Sequence, residues 1–301
     1  MNRSFASWIA DSPGPAVLVT GLLGLLPLFG LGFAFFLPGA VPALVVLARG
    51  PRPGLAVALG ATVLLTLAMW MIGRPVPVGV IYSVWVLGPP LALAVILGRT
   101  GSLSMCLQLA VVAGVVLLLV LHLSLGDPAK FWAPFVRDLA EEMQRRGLPM
   151  DIEKDGLAET LARTLWGWVT ALTMLLAMCA LFLARWWQMR LPPPGEGRFG
   201  AEFQQLRLGA VLGTAGAVLI AASLLTDRPL VDDLERIFLG ALMLVGLAAA
   251  HRFKASGRLS GGWLWAIYAM LVFAAPIMVA AMAGWGFVDN WVRSQRPAQN
   301  A

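Results

Sequence analysis

The chain contains 301 residues, of which 59% are apolar and 13% are charged, and its formal net charge is +6. A typical soluble domain carries about 25% charged residues. The composition therefore excludes an ordinary soluble domain. It also argues against a nucleic-acid partner, because the basic residues lie in short gaps between long apolar blocks. These features predict a polytopic, all-α transmembrane helical bundle surrounded by the lipid bilayer.

The first apolar block, 16–48, is interrupted by three prolines, which remove backbone hydrogen-bond donors and break helices. They are Pro27, Pro38 and Pro42. We expect one full span near 16–36 and then a short half-helix near 39–48 that crosses or re-enters the membrane. The block is longer than the apolar part of a signal peptide, so we expect it to remain as an anchor.

Seven further blocks contain no Lys, Arg, Asp or Glu. A helix that crosses a bilayer needs about 20 apolar residues, and these blocks are close to that length. With the first block they predict eight or nine membrane segments in a single integral membrane domain, 1–301. The seven blocks are 55–73, 78–97, 103–123, 165–184, 208–226, 237–251 and 262–286.

Lysine and arginine are distributed unevenly among the connectors. Outside the loop at 124–164 and the two termini, ten of them lie on one side and three on the other. The positive-inside rule assigns the richer side, which includes Arg252, to the cytoplasm. The loop 124–164 and the C-terminus are then periplasmic, and the membrane is a bacterial inner membrane.

The extramembrane loop is predicted to be helical. A helix begins at Asp127-Pro128, a pair typical of helix starts, and ends near Gly147. Apolar residues recur every four positions along it: Phe131, Phe135, Leu139 and Met143. Two interpretations stay open. The first is an amphipathic helix that lies on the membrane surface or caps the bundle. The second is a solvated connector helix that packs this stripe against its own bundle. The tail 296–301 is predicted to be disordered.

The sequence gives no support for catalysis or metal binding. Cys106 and Cys179 lie in separate apolar blocks, and His122 and His251 form no metal-ligand motif. No acidic residue falls in the core of a predicted span, and the sequence has no nucleotide-binding loop or nucleophile elbow. We therefore expect no catalytic residue, no metal and no cofactor, and we do not expect an enzyme.

Two regions are candidates for binding. Gly88-Pro89-Pro90 lies in the middle of the 78–97 block, where two prolines free backbone carbonyls. Such a position can border a transporter cavity, although a packed helix kink is favoured, and Pro276 has the same interpretation. The second region is the connector around Glu202, which could bind anionic lipid headgroups or a cytoplasmic partner, although a topology signal with an interfacial helix is favoured. Its other residues are Arg185, Trp186, Trp187, Gln188, Arg190, Arg198 and Arg207. After the last block, Asp289 is expected to cap a helix or pair with an arginine, and Trp291 to anchor at the interface.

Several of these residues also carry a family resemblance, which extends over essentially the whole chain. The motifs are Pro42 through Arg49-Gly50, Ala184-Arg185-Trp186-Trp187-Gln188, Gly197 through Arg207, and Gly286-x-x-Asp289-x-Trp291. In these motifs the chain resembles the YybS-like family of predicted bacterial membrane proteins, whose domain has no established function. It departs from that family at Pro192 through Phe199, where the family reads Tyr-Asn-Pro-Gly-Gly-Phe, and at Arg296, one place late.

The resemblance implies a fold similar to the substrate-binding membrane subunits of energy-coupling-factor vitamin transporters. Our first functional hypothesis is therefore a transport-related bundle that binds a small molecule beside Pro89 and Pro90. It would depend on a separate membrane or cytoplasmic partner for energy. The alternative is a non-catalytic scaffold or envelope-assembly factor that acts through protein partners.

Overall fold

The computed structural model describes residues 5–145, 147, 157–191 and 199–295. All regular elements in these ranges are helices, which confirms the all-α class. The α-helices are α1 Phe5–Asp11, α2 Pro13–Leu25, α3 Leu37–Arg49, α4 Pro51–Met71, α5 Val76–Thr100, α6 Leu103–Leu125, α7 Pro128–Arg145, α8 Leu157–Gln188, α9 Phe199–Gln204, α10 Ala210–Ser223, α11 Pro229–Ala255, α12 Gly261–Phe273 and α13 Ala275–Ser294. Predictions that concern 148–156, 192–198 or 296–301 lie outside the described residues.

Among the described helices, five are long and apolar enough to span a membrane: α4, α5, α6, α8 and α11. Several other apolar helices are shorter, including α10 with 14 residues and α12 with 13. A helix of that length reaches about 20 Å, which is less than the thickness of a bilayer core. The expected total of eight or nine membrane segments is therefore not confirmed.

The helices form two compact units. Unit 1 contains Met1–Leu107 and Thr173–Leu206, and unit 2 contains Gln108–Leu172 and Arg207–Ala301. Helices α6 and α8 each contribute to both units. The expectation of a single integral domain stays a prediction.

Unit 1 begins with a broken helical hairpin, Pro13–Arg49, which we call the N-terminal hairpin. Two 3-10 helices, Leu26–Phe29 and Gly32–Phe36, separate α2 from α3 and form its tip. The chain turns between them at Gly30, whose left-handed φ of 87° suits glycine. Arg49 Nη2 donates to Asp11 Oδ1 at 2.8 Å, so the hairpin starts and ends at the same end of unit 1.

The single span predicted near 16–36 is therefore wrong. Pro27 lies two residues after the end of α2, in the 3-10 helix Leu26–Phe29, and it has no N–H with which to continue the α-helix. The half-helix predicted near 39–48 exists as α3, which returns to the end from which α2 started.

Unit 2 ends with a second broken hairpin, formed by α12 and α13. The break is at Ala274, and Pro276 lies in the first turn of α13, where a missing N–H costs nothing. The predicted span 262–286 is thus interrupted at the single residue Ala274, two residues before Pro276. Helix α13 packs against α11, where Met282 lies beside Gly246 and Asp289 pairs with Arg252.

This course corrects one prediction of topology. The sequence assigned Arg252 to the cytoplasm and the C-terminus to the periplasm. The ion pair between Arg252 and Asp289 instead places the last turns of α11 and α13 at the same end of unit 2. The two cannot lie on opposite sides of a membrane.

The backbones of α11 and α13 touch where two glycines face each other. A Cβ added to Gly246 would overlap the carbonyl oxygen of Met282, and one added to Gly286 would overlap that of Leu242. By contrast, a Cβ at Gly284 would meet nothing within 4 Å. The close approach therefore depends on Gly246 and Gly286.

Helix α7 is amphipathic, as predicted, and its apolar stripe is partly packed. Phe131, Phe135 and Leu139 are 46%, 52% and 47% exposed, but the Phe131 ring lies 4.8 Å from the Trp166 ring of α8. The adjacent face, with Val136, packs against Ala162 of α8. The membrane-surface and connector interpretations both stay predictions.

Candidate functional site

A pocket with about 280 Å³ of empty space, its mouth included, opens in unit 1 beside the proline pair of α5. Three parts of the chain form its walls: the tip of the N-terminal hairpin, the middle of α5, and α8. The residues that line it are Phe35, Phe36, Trp85, Val86, Pro89, Pro90, Thr173, Leu176 and Ala177. Two of the residues predicted from the sequence therefore border a pocket.

The proline pair shapes this wall without breaking the helix. Pro89 and Pro90 carry no N–H, so the carbonyls of Trp85 and Val86 lose their donors four residues ahead. Helix α5 nevertheless continues from Val76 to Thr100. Gly39 of α3 lies directly against this region, since a Cβ there would be 2.6 Å from Pro90 Cγ and 3.0 Å from the Val86 oxygen.

Aromatic and polar contacts hold the hairpin tip in place. Tyr82 donates its hydroxyl hydrogen to the carbonyl of Gly24 at 2.7 Å, near the end of α2, where helix carbonyls lack backbone donors. Phe35 packs edge-on against Trp85, with 5.8 Å between the ring centroids. Trp85 Nε1 in turn donates to Thr173 Oγ1 at 2.7 Å. The tip, α5 and α8 are therefore connected around the pocket.

The lining limits what this pocket can do. None of its nine lining residues is ionisable, and only the indole of Trp85 and the hydroxyl of Thr173 add polar side-chain atoms. Because the 280 Å³ includes open solvent at the mouth, the pocket is a shallow cleft, well below the 300–1,000 Å³ of pockets for drug-sized ligands. Its lining is mostly apolar.

The connector residues form a second cluster in unit 1. Arg185 donates to both carboxylate oxygens of Glu202, at 3.0 and 2.6 Å, and to Gln188 Oε1 at 2.6 Å. Gln188 Nε2 donates to the carbonyl of Leu47 at 2.7 Å. These hydrogen bonds fasten α9 and the end of α3 to the last turns of α8. They make the cluster a structural clamp.

Two other connector residues predicted to bind lie against each other. Arg190 lies over the Trp186 ring, with its guanidinium carbon 3.6 Å from the centroid. Trp187 is half-buried, and Arg207 belongs to unit 2. Of the four arginines predicted around Glu202, Arg185 forms a bidentate pair with it, and Arg198 lies outside the described residues.

Unit 2 contains the two predicted residues that follow the last block. Asp289 forms the expected ion pair, with Arg252, and Trp291 is exposed. The neighbouring Asn290 was not singled out from the sequence. Its Oδ1 accepts the N–H groups of Leu208 and Gly209, at 2.9 and 3.0 Å, and its Nδ2 donates to the Gly209 carbonyl at 2.9 Å.

A buried carboxylate in unit 2 was missed altogether. Asp233 is 0% exposed, and its Oδ2 lies 2.9 Å from His122 Nε2. Its Oδ1 accepts the N–H of Gly167 at 3.0 Å and lies 3.5 Å from Arg236 Nη1. A Cβ at Gly167 would be 2.7 Å from the Asp233 Cα, so glycine permits the approach.

The sequence contained one signal for this cluster. Asp233 and Arg236 are three residues apart, in one helix that starts at Pro229, so they share a face. The rule that a charged residue marks the boundary of a span places both residues in a connector, outside the predicted block 237–251.

No family model, curated protein or solved structure matches this chain. The YybS-like resemblance stays a hypothesis. The function must therefore be argued from the geometry of the pocket and the clusters.

Proposed function

We propose that this chain is a transport-related protein of a bacterial inner membrane that binds a small, mostly apolar molecule in the unit 1 pocket. The observation that carries the proposal is the pocket wall itself, which includes the tip of a broken helical hairpin. Discontinuous helices border substrate sites in many transporters, because non-helical backbone at membrane depth must face protein or a cavity.

The depth of the pocket supports the same proposal. Residues 85–90 lie in the middle of α5, which runs from Val76 to Thr100. Both ends of the N-terminal hairpin lie beside the ion pair between Asp11 and Arg49, and near its tip Gly24 accepts a hydrogen bond from Tyr82 of α5. The tip therefore enters the unit about as far as the centre of α5. A ligand there would bind near the bilayer midplane, where secondary transporters place their substrates.

The proposal includes membership of the YybS-like family and a separate partner that supplies energy. Both rest on the sequence motifs and on analogy with vitamin-binding membrane subunits. The pocket is a shallow cleft, so the ligand that we propose is a small molecule.

The proposed topology has its arginine-rich ends in the cytoplasm and α7 in the periplasm. The structure changes one point, since the end of α13 should be cytoplasmic together with Arg252. Single cysteines at Ser12 and Ser294 should therefore react with a membrane-impermeant maleimide only after spheroplasts are opened. A cysteine at Asp138 in α7 should react in intact spheroplasts. Periplasmic labelling at Ser294 would refute the hairpin formed by α12 and α13.

Ligand binding should be visible as thermal stabilisation of the purified protein. A molecule that binds only the folded state at 100 times its Kd adds about 2.7 kcal/mol. A library of small apolar and aromatic metabolites, screened by tryptophan fluorescence, should contain at least one compound that raises Tm by several degrees. If no compound shifts Tm in protein shown to be folded, the proposal fails.

A matched pair of variants tests whether the ligand that raises Tm binds in the unit 1 pocket. Leu176→Trp should fill the pocket and abolish the shift, because Leu176 lines it. Ile81→Trp adds the same bulk at a side chain on α5 that is exposed, and should leave the shift unchanged. Equal ligand-induced changes in Tm in both variants would mean that the ligand binds at another site.

The scaffold alternative acts through the connector, and the clamp allows a direct test. Arg185→Glu should lower Tm markedly, because it places two carboxylates together where a bidentate pair is now partly buried. The swap Arg185→Glu with Glu202→Arg should recover part of the loss if the clamp is structural. Recovered stability together with loss of a co-purifying protein would favour the scaffold function instead.

A further inference from the structure

Three helices of unit 2 meet at the buried carboxylate of Asp233. Its Oδ2 lies 2.9 Å from Nε2 of His122, which belongs to the last turn of α6. Its Oδ1 accepts the N–H of Gly167 in α8 at 3.0 Å, and Nη1 of Arg236, one turn further along α11, lies 3.5 Å from the same oxygen. Both carboxylate oxygens therefore have named partners, and the partners come from α6, α8 and α11.

Of the three partners, one can exchange a proton. A backbone amide keeps its hydrogen, and an arginine guanidinium stays charged in proteins. An imidazole, by contrast, gains and loses a proton in the range of pH in which cells operate. The side chain of His122 is 14% exposed, whereas that of Asp233 is 0% exposed. The imidazole is therefore the group through which a proton can reach the buried carboxylate.

The contact between His122 and Asp233 accommodates the imidazole in both protonation states. With Asp233 ionised, the neutral ring must carry its hydrogen on Nε2, because a carboxylate only accepts hydrogen bonds. The protonated ring donates through the same nitrogen. Its added positive charge then lies beside a carboxylate and in the last turn of α6, where the helix end favours a cation. Proton uptake therefore requires no rearrangement of the three helices.

The charged surroundings of this pair are simple. Besides His122, the charged side chain that acts on Asp233 is Arg236 in the same helix. The guanidinium carbon of Arg236 lies 5.8 Å from the ring centroid of Trp168 in α8. Helix α8 faces the carboxylate with the backbone of Gly167, where a Cβ would be 2.7 Å from the Asp233 Cα. The charges of Asp233 and Arg236 balance, so one proton on His122 decides the charge of the cluster.

We propose that His122 and Asp233 form a proton-binding site in unit 2, where α6 ends and α11 begins. Ionisable groups are costly within membrane helices, and histidine and carboxylate groups there mark proton pathways in pumps and transporters. In the topology proposed above, this end of unit 2 faces the periplasm, the side from which a proton gradient drives protons inward. The site does not depend on the ligand proposed for unit 1.

Nitrogen-15 NMR of the imidazole tests the site directly, since the chain has two histidines. In full-length His251→Gln, purified through a tag without histidine and labelled with nitrogen-15 histidine, His122 supplies all imidazole signals. In detergent micelles its Nδ1 should take up a hydrogen reversibly between pH 9 and pH 5, while Nε2 keeps its own hydrogen throughout. A neutral form with the hydrogen on Nδ1, or no uptake over this range, would overturn the proposal.

Two aspartate variants of the same protein separate a proton site from a purely structural contact. Asp233→Asn keeps an acceptor for Gly167 but removes the negative charge beside the ring, so His122 should bind its proton about tenfold more weakly. Asp232→Asn removes the neighbouring, partly exposed charge and should change proton binding less than twofold. Equal effects of the two variants would assign proton binding to the general charge of unit 2 and overturn the site. If Asp233→Asn does not fold, the position of the hydrogen on the neutral ring decides.

Discussion

Replacement of Gly246 by leucine should prevent unit 2 from folding. The new side chain would start at a Cβ that overlaps the carbonyl oxygen of Met282 in α13. Overpacking usually costs about 1–3 kcal/mol when neighbouring side chains can move aside. Here the obstacle is the backbone of α13, which the ion pair between Arg252 and Asp289 holds against α11. We expect a cost above that range and no monodisperse protein in a fluorescence-detected size-exclusion profile.

Gly284→Leu is the matched control, because it makes the same change on the same pair of helices. A Cβ at Gly284 would meet nothing within 4 Å, so this variant should elute and melt as wild type does. Gly286→Ala gives an intermediate test, since a single methyl group there would overlap the carbonyl oxygen of Leu242. Wild-type behaviour of Gly246→Leu would mean that α11 and α13 do not cross at these glycines.

Local chemistry alone does not tell which proline interrupts a helix. Pro27, Pro276 and the Pro89-Pro90 pair all lie in apolar blocks and look alike in the sequence. Helix α5 continues through its prolines, with Gly39 packed against Pro90, whereas the chain breaks beside Pro27 and Pro276. The difference depends on which segment packs nearby, and that segment is remote in sequence. For this reason the all-α class was predictable and the two hairpins were not.

The same limit applies to the candidate pocket. Pro89 and Pro90 were found because two adjacent prolines in a span are conspicuous in any sequence. Phe35 and Thr173, which lie on either side of them, come from segments about 50 and 85 residues away and have no local signature. Sequence reasoning therefore located one wall of the pocket and could not supply the other two.

Charge was informative about span ends but misleading about burial. Treating each Asp or Arg as a boundary gave block limits close to those of α4, α5 and α6. Applied to α11, the same rule places Asp233 outside the span. Asp233 is nevertheless part of the helix and is the one fully buried carboxylate among the described residues. The burial of a charged carboxylate is unfavourable in free energy unless the carboxylate is paired. The partners of Asp233 therefore stabilise it in the interior.

Loss of the Asp233 carboxylate should therefore destabilise the protein strongly. Asp233→Leu leaves His122 and Arg236 without the oxygens that they face, and leaves the N–H of Gly167 without its side-chain acceptor. Removing one partner of a buried ion pair typically costs about 3–5 kcal/mol. The neighbouring Asp232 is partly exposed, so Asp232→Leu should cost far less. Thermal unfolding in a mild detergent, followed by tryptophan fluorescence, measures both.

A double-mutant cycle then shows whether His122 is the partner that matters. If the 2.9 Å contact carries the stability, the costs of His122→Ala and Asp233→Ala should overlap, with a coupling energy of about 1–3 kcal/mol. Additive costs would mean that Gly167 and Arg236 satisfy the carboxylate without the histidine. In that case the imidazole of His122 would be a separate polar group beside a buried acid. Its contribution to stability would then not explain its position in α6.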